Sequence, residues 1–342
     1  MKQAYIFSHS TADLKYVLSI YNELIENQVK ISIFVINNNS NFVFLSKVLP
    51  QNKNIFFIAY PGKFSLKNPI SIIRAKKYLN KIAKEYFLVQ DFDVYFFTNL
   101  YDWVSWYFLK SLNETCKIYF VDYIKYDLNA NIVNKLSLKE NIRLFWLQNI
   151  TGVELSYCSF NGNNQLCLGA KDIKYNKIGH NINHSIYKKH SYTVPNLLEK
   201  SIILYENNQK NYNNILNYDN TLKQIIDLVL LKGFHLYLKP HPRIGYSDFI
   251  KEYKFDELPS YIPGEFINIT SFDFCFGIET ATVAYLVNHF NSNNTYTLID
   301  LFDFVSDNKK ESYKNWLINL SDNKIKFISS IEMLEDLISK VN

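Results

Sequence analysis

Glycine (9), proline (8), cysteine (4) and methionine (2) are all scarce in these 342 residues. So few breakers exclude collagen-like and low-complexity classes. Cys116, Cys158, Cys167 and Cys275 are scattered with no CxxC pair, and three lie in or beside apolar runs. They read as reduced, buried thiols and not as a disulfide framework. No apolar run approaches the roughly 18 residues of a membrane-spanning helix. The first one, Ala4–Phe7, stops at Ser8-His9-Ser10, too short for an export signal. A cytoplasmic chain is expected, with room for peripheral contact at the inner membrane face.

Charge of one sign is also lacking. Lys and Arg number 37 against 32 Asp and Glu, a net +5 read as spread along the chain. Without a basic stripe no nucleic-acid partner is expected. The balance suits an anionic substrate or an anionic membrane surface. What is present is a globular composition, 48% hydrophobic and 20% charged. The 26 Tyr and 26 Phe accompany abundant Asn, Lys and Ile, a compositional bias that argues for no stacking function.

Short apolar runs alternate with helical spacing along the first 122 residues. Strands are expected at 4–7, 29–36, 54–60, 93–98 and 117–122, and helices at 13–24, 42–49, 70–87 (basic and amphipathic) and 103–112. A less regular stretch runs from about 128 to 192. The alternation then restarts, with strands at 201–205, 234–238, 266–269, 273–277, 295–300 and 325–327 and helices at 221–231, 280–290 and 331–339. Strands alternating with helices of roughly 10–15 residues mean βαβ units and parallel sheets. The fold class is α/β, with two Rossmann-like domains, 1–190 and 191–342. Two such domains facing a cleft is the GT-B architecture of glycosyltransferases, and other two-domain α/β enzymes share the pattern.

The second half carries the chemistry. Phe234–Leu238 runs into Lys239-Pro240-His241-Pro242-Arg243. Ligands of open α/β sheets bind beyond the carboxyl ends of strands, where this histidine falls, and its flanking prolines stiffen the backbone. The imidazole can give a proton or hydrogen bond to an anionic leaving group held by Lys239 and Arg243. Upstream, Asp219 precedes a helix, where it serves either as an N-terminal cap or as a general base for an acceptor hydroxyl. Downstream, Gly277-Ile278-Glu279-Thr280-Ala281-Thr282 leads from strand to helix, a place for phosphate or for plain capping by Thr280. Between them Pro263-Gly264-Glu265 forms a turn that either lies along a base ring or only reverses the chain.

These motifs together resemble the bacterial sialyltransferases, most nearly the lipooligosaccharide sialyltransferases of glycosyltransferase family 52. The resemblance covers about residues 201–290. It implies a GT-B fold, a CMP-activated nonulosonic acid as donor, a surface glycan (lipooligosaccharide or capsule) as acceptor, and no metal or other cofactor. It implies inverting transfer with Asp219 as base and His241 on the leaving phosphate. Pro263, Gly264 and Glu265 then contact cytosine and ribose, and Thr280 and Thr282 hold phosphate; Lys239, Pro240, Arg243 and Glu279 stand beside these motifs as further candidate substrate contacts. A homodimer fits the resemblance. The family's paired hydroxyls before the helix are here Glu279 and Thr280. Its acidic motif in the first domain is represented only by Asp122, the reserve base. His9, after the first strand, is a candidate contact for a substrate hydroxyl or carboxylate. His180 and His184 share an HxxxH spacing without a third ligand, and a metal is not expected there. Trp103 and Trp106 read as core. The alternatives are a transferase using CMP-Kdo or a polyol-phosphate donor, and a non-catalytic glycan-assembly partner with a transferase fold.

Overall fold

The computed structural model describes residues 2–59, 69–87, 92–97, 103–112, 116–121, 136–160, 163–170, 173–179, 182, 185–206, 208, 214–242 and 244–341. The chain divides into two compact units, Met1–Asn183 and His184–Asn342.

In the first unit, strands β1 (Gln3–Ser8), β2 (Lys30–Ile36), β3 (Ile55–Ile58), β4 (Asp93–Phe96) and β5 (Lys117–Val121) alternate with helices α1 (Leu14–Glu26), α2 (Asn39–Val48), α3 (Pro69–Tyr86) and α4 (Val104–Leu112). Helix α5 (Leu138–Thr151), an antiparallel hairpin of β6 (Leu155–Phe160) and β7 (Asn163–Ala170), and strand β8 (Asn176–Ile178) follow. The main sheet has the order β3-β2-β1-β4-β5-β8. All its pairings are parallel.

In the second unit, α6 (Ser185–Lys189) precedes β9 (Ser201–Glu206), α7 (Tyr218–Leu231), β10 (His235–Pro240), β11 (Asp256–Glu257), β12 (Phe274–Gly277), α8 (Ala281–Phe290), β13 (Thr295–Thr297), α9 (Asp307–Leu320), β14 (Lys326–Phe327) and α10 (Ile331–Ile338). The sheet order is β11-β10-β9-β12-β13-β14, again parallel throughout. In both units the first strand has its successor on one side and the fourth on the other. That reversal is the Rossmann switch point, where a crevice opens beyond the strand ends. The expected α/β class with two Rossmann-like parallel sheets is what the chain builds.

The strands form where uninterrupted apolar runs can be covered on both faces; all six residues of β9 are buried. The aromatic surplus fills the core. Phe34 packs on Phe7 (ring centroids 5.3 Å apart), Phe56 (5.3 Å) and Phe87 (5.0 Å). Trp103 and Trp106 are buried, and the Trp106 indole donates to the Leu168 carbonyl at 3.1 Å. Cys116 and Cys275 are not in disulfides.

Several features depart from the sequence reading, among them helix α9 and the β6–β7 hairpin, which the sequence pattern does not predict. Residues 266–269 are not a strand: Pro263 and Gly264 start a 3-10 turn, Gly264–Phe266, after which Ile267 makes only an isolated bridge to Tyr192. The stretch read as irregular contains α5, which opens on a capping box between Ser137 and Glu140 and ends at Gly152 with φ +68°. Helix α6 precedes residue 190 yet packs on the second unit. Its Tyr187 ring stacks on His289 at 3.5 Å and meets Phe266 at 5.0 Å.

Candidate active site

The carboxyl end of the second sheet gathers the motifs. Strand β9 lies at the switch point between β10 and β12, and its last two residues face opposite sides, as successive residues of a strand must.

On one side, Tyr205 meets the turn and the α8 start. Its hydroxyl donates to the Gly264 carbonyl at 3.3 Å. A Cβ built on Gly264 would lie 2.7 Å from Thr282 Cγ2, 3.1 Å from Thr282 Oγ1 and 2.9 Å from Tyr205 Cε1. Only glycine lets this turn sit against the first turn of α8. Thr280 caps that helix, accepting from the Thr282 N–H at 3.3 Å. Gly277 is equally constrained, since a Cβ there would stand 2.6 Å from Thr280 Cγ2 and 2.7 Å from Val283 Cγ1.

On the other side, Glu206 is fully buried. Its Oε1 accepts from the Tyr218 hydroxyl at 2.6 Å and the Ser247 hydroxyl at 2.7 Å, and its Oε2 from the Ser247 N–H at 3.1 Å. Burial raises its pKa against these donors, which favour the charged form. Asn208 adds a brace, donating through Nδ2 to the Ile244 and Tyr246 carbonyls, both at 2.9 Å. The end of β9 thereby fixes both the start of α7 and the loop after β10.

Those two segments carry the expected catalytic pair. Asp219 stands in the first turn of α7. Its Oδ1 is buried and has no hydrogen-bond partner among the described residues. Asn217, not Asp219, occupies the cap position, and its side chain is spent on Asp303. His241 follows β10 and is half-buried. Its backbone exchanges two hydrogen bonds with Gly245, at 3.1 and 2.9 Å, closing a tight loop that Gly245 completes with φ +69°.

No protein-family model matches this sequence, and no curated protein sequence matches it. Solved structures align with it at low identity. A family 9 glycosyl transferase from Veillonella parvula aligns over 99% of this chain and 98% of its own, at 10% identity and a TM-score of 0.42. E. coli ADP-heptose lipopolysaccharide heptosyltransferase II aligns over 99% of each chain, at 11% identity and 0.40. A UDP-N-acetylglucosamine 2-epimerase covers 99% of this chain and 86% of its own, at 10% and 0.49. These likenesses assign no residue a role.

The remaining candidates are placed as follows. Lys239 is buried, and its ammonium donates to the Pro240 carbonyl at 2.8 Å and the Ser260 carbonyl at 3.4 Å. Burial pulls its pKa down to about 8, opposed by the nearby carboxylates Glu265 and Glu257. It straps the end of β10 to the segment leading into the Pro263–Glu265 turn. Pro240 and Pro263 are buried. Glu279 is half-buried and accepts from the Tyr313 hydroxyl on α9; burial raises the pKa of both, Tyr313 to about 12. Arg243, Asp122, His180 and His184 lie outside the described residues.

In the first unit, His9 sits at the corresponding switch point and is 3% exposed. Its Nε2 is 2.9 Å from Ser105 Oγ on α4, joining the end of β1 to the helix after β4. The loop is built around it: Asp13 accepts from the His9 and Ser10 N–H groups, both at 2.8 Å, and Asn38 donates to the His9 carbonyl at 3.0 Å. Among the described residues, no group of three or more His, Cys, Asp or Glu side chains could hold a metal ion. No described helix is long and apolar enough to cross a membrane.

Sequence reasoning missed Glu206, Asn208, Tyr218 and Ser247. The signal for Glu206 was visible: the apolar run Ile202–Leu204 with Tyr205 ends on a carboxylate at the strand's end. Ser247 and Asn208 gave no such signal, because only the folded loop brings them to Glu206 and to the carbonyls after His241.

Proposed function

We propose that this chain is an inverting glycosyltransferase that moves a nonulosonic acid from its CMP donor to a hydroxyl of a surface glycan. One observation carries the reading: the end of β9 ties together the Asp219 helix start and the His241 loop through Glu206, and the Gly264 turn and Thr282 helix start through Tyr205. The spacing that resembles a sialyltransferase is thus drawn to one end of one sheet.

On this reading the nucleotide lies at the second switch point. The Pro263–Glu265 turn holds cytosine and ribose, and the α8 start with Thr282 meets the phosphate. Asp219 takes the proton of the acceptor hydroxyl as its oxygen attacks the anomeric carbon. The glycosidic C–O bond breaks, its electrons pass to the CMP phosphate, and His241 donates a proton or hydrogen bond to that oxygen. The buried Asp219 Oδ1, which meets no donor among the described residues, is available to accept that proton. Lys239 acts on this account through the turn it straps. The phosphate charge is met by protein groups, and the proposal calls on no metal or other cofactor.

The test is CMP release from CMP-N-acetylneuraminic acid in the presence of a glycan acceptor. Asp219→Asn and His241→Ala should each lower turnover by roughly 10²–10⁴-fold, the usual worth of a positioned acid or base. Near wild-type turnover in either variant removes that residue from the mechanism.

A further inference from the structure

We propose that the outward faces of α3 and α5 dock the first unit onto an anionic lipid surface. The two helices touch and cover one hydrophobic core. On α3, Ala75, Leu79 and Ile82 face that core. The opposite face carries Ile70 and Ile73, which are 58% and 56% exposed, followed at helical spacing by exposed Lys77, Lys81 and Lys84. Helix α5 repeats the pattern. Leu147 and Ile150 face inward, while Leu138, Ile142 and Phe145, spaced by four and three, are 77%, 42% and 59% exposed on the outside. Scattered exposed apolar residues need no explanation, but five on two touching helices mark an interaction surface.

Charge selects the occupant. Helix α3 holds Arg74, Lys76, Lys77, Lys81 and Lys84 against the single carboxylate Glu85, a local net charge of +4. Five cations against one carboxylate within 18 residues make this a locally basic helix. A second copy meeting this face symmetrically would set lysine against lysine. An anionic bilayer satisfies both components: ammonium groups reach headgroup phosphates while lysine stems and apolar side chains lie at the acyl boundary.

The test is co-sedimentation of the full chain with vesicles of phosphatidylcholine, with and without phosphatidylglycerol. Binding is expected only to the anionic vesicles, and raised salt should release it. Lys77→Gln with Lys81→Gln should weaken binding roughly 25-fold, about fivefold per lysine. Ile73→Ser with Phe145→Ser should also weaken it. Lys254→Gln with Lys340→Gln makes the same charge change at exposed positions of the second unit and should leave binding within about twofold. All these side chains are solvent-exposed, so unchanged melting temperatures will show that the fold is kept. The proposal is overturned by absent binding, by equal binding to neutral vesicles, by equal weakening in the control pair, or by a self-associated chain that the α3 and α5 variants dissociate.

Discussion

At the scale of single residues, environment separates groups that look alike in sequence. Asp219 and Glu206 are both carboxylates near one strand end, yet Glu206 accepts from the Tyr218 hydroxyl and from the Ser247 hydroxyl and N–H, while Asp219 Oδ1 has no partner among the described residues. Their variants should therefore differ. Asp219→Asn should lower transfer by the roughly 10²–10⁴-fold given above while stability changes by at most about 1 kcal/mol, the worth of a charge in a first helical turn; a melting curve beside the activity assay checks this. Glu206 has a raised pKa in the fold, so the folded chain holds the extra proton as pH climbs past the ordinary glutamate range, and stability falls through that window. The melting temperature of wild type relative to Glu206→Gln should decline as pH rises from below 4.5, whereas parallel curves would show that Glu206 titrates normally. Lys239 gives the opposite sign. With a folded pKa of about 8 against 10.5, it is more protonated when unfolded, so stability should rise between those values by roughly 3 kcal/mol. Lys239→Met should remove that rise.

At the scale of elements, close backbone approach decides what the site tolerates. Gly264→Ala drives a Cβ into Thr282 and Tyr205. Both are held, Thr282 in the first turn of α8 and Tyr205 in β9, so the turn must give way. A loss of about 1–3 kcal/mol, typical of overpacking, should accompany weaker nucleotide binding in a titration; an unchanged affinity would detach the turn from the site. The same scale shows what the sequence could tell. Strands such as Ile202–Tyr205 and Phe274–Gly277 announced themselves, because burial on both faces demands an unbroken apolar run. Helix α5 did not, since Leu138, Ile142 and Phe145 lie outside while Leu147 and Ile150 lie inside, and apolar residues on both faces erase the 3.6-residue period. Residues 266–269 misled for a related reason. Phe266, Ile267 and Ile269 are buried as strand residues would be, but a Pro-Gly pair starts a 3-10 turn there.

At the scale of the whole molecule, the same topology occurs twice, and each copy places polar residues at its own switch point: His9 with Ser105 in the first, the Asp219 and His241 segments in the second. The motif positions 219, 241, 264 and 280–282 were legible before the fold, because each is a turn or helix start after an apolar run. Their joining through Tyr205 and Glu206 was not, since hydrogen bonds between segments about 40 and 60 residues apart leave no local pattern. The central claim is that this join receives a cytidine monophosphate. Calorimetric titration with CMP, UDP, ADP and GDP tests it most directly. CMP should bind in preference to the others, with affinity reduced in both His241→Ala and Thr282→Val. No CMP binding, tighter binding of another nucleotide, or CMP affinity untouched by either substitution would contradict the account.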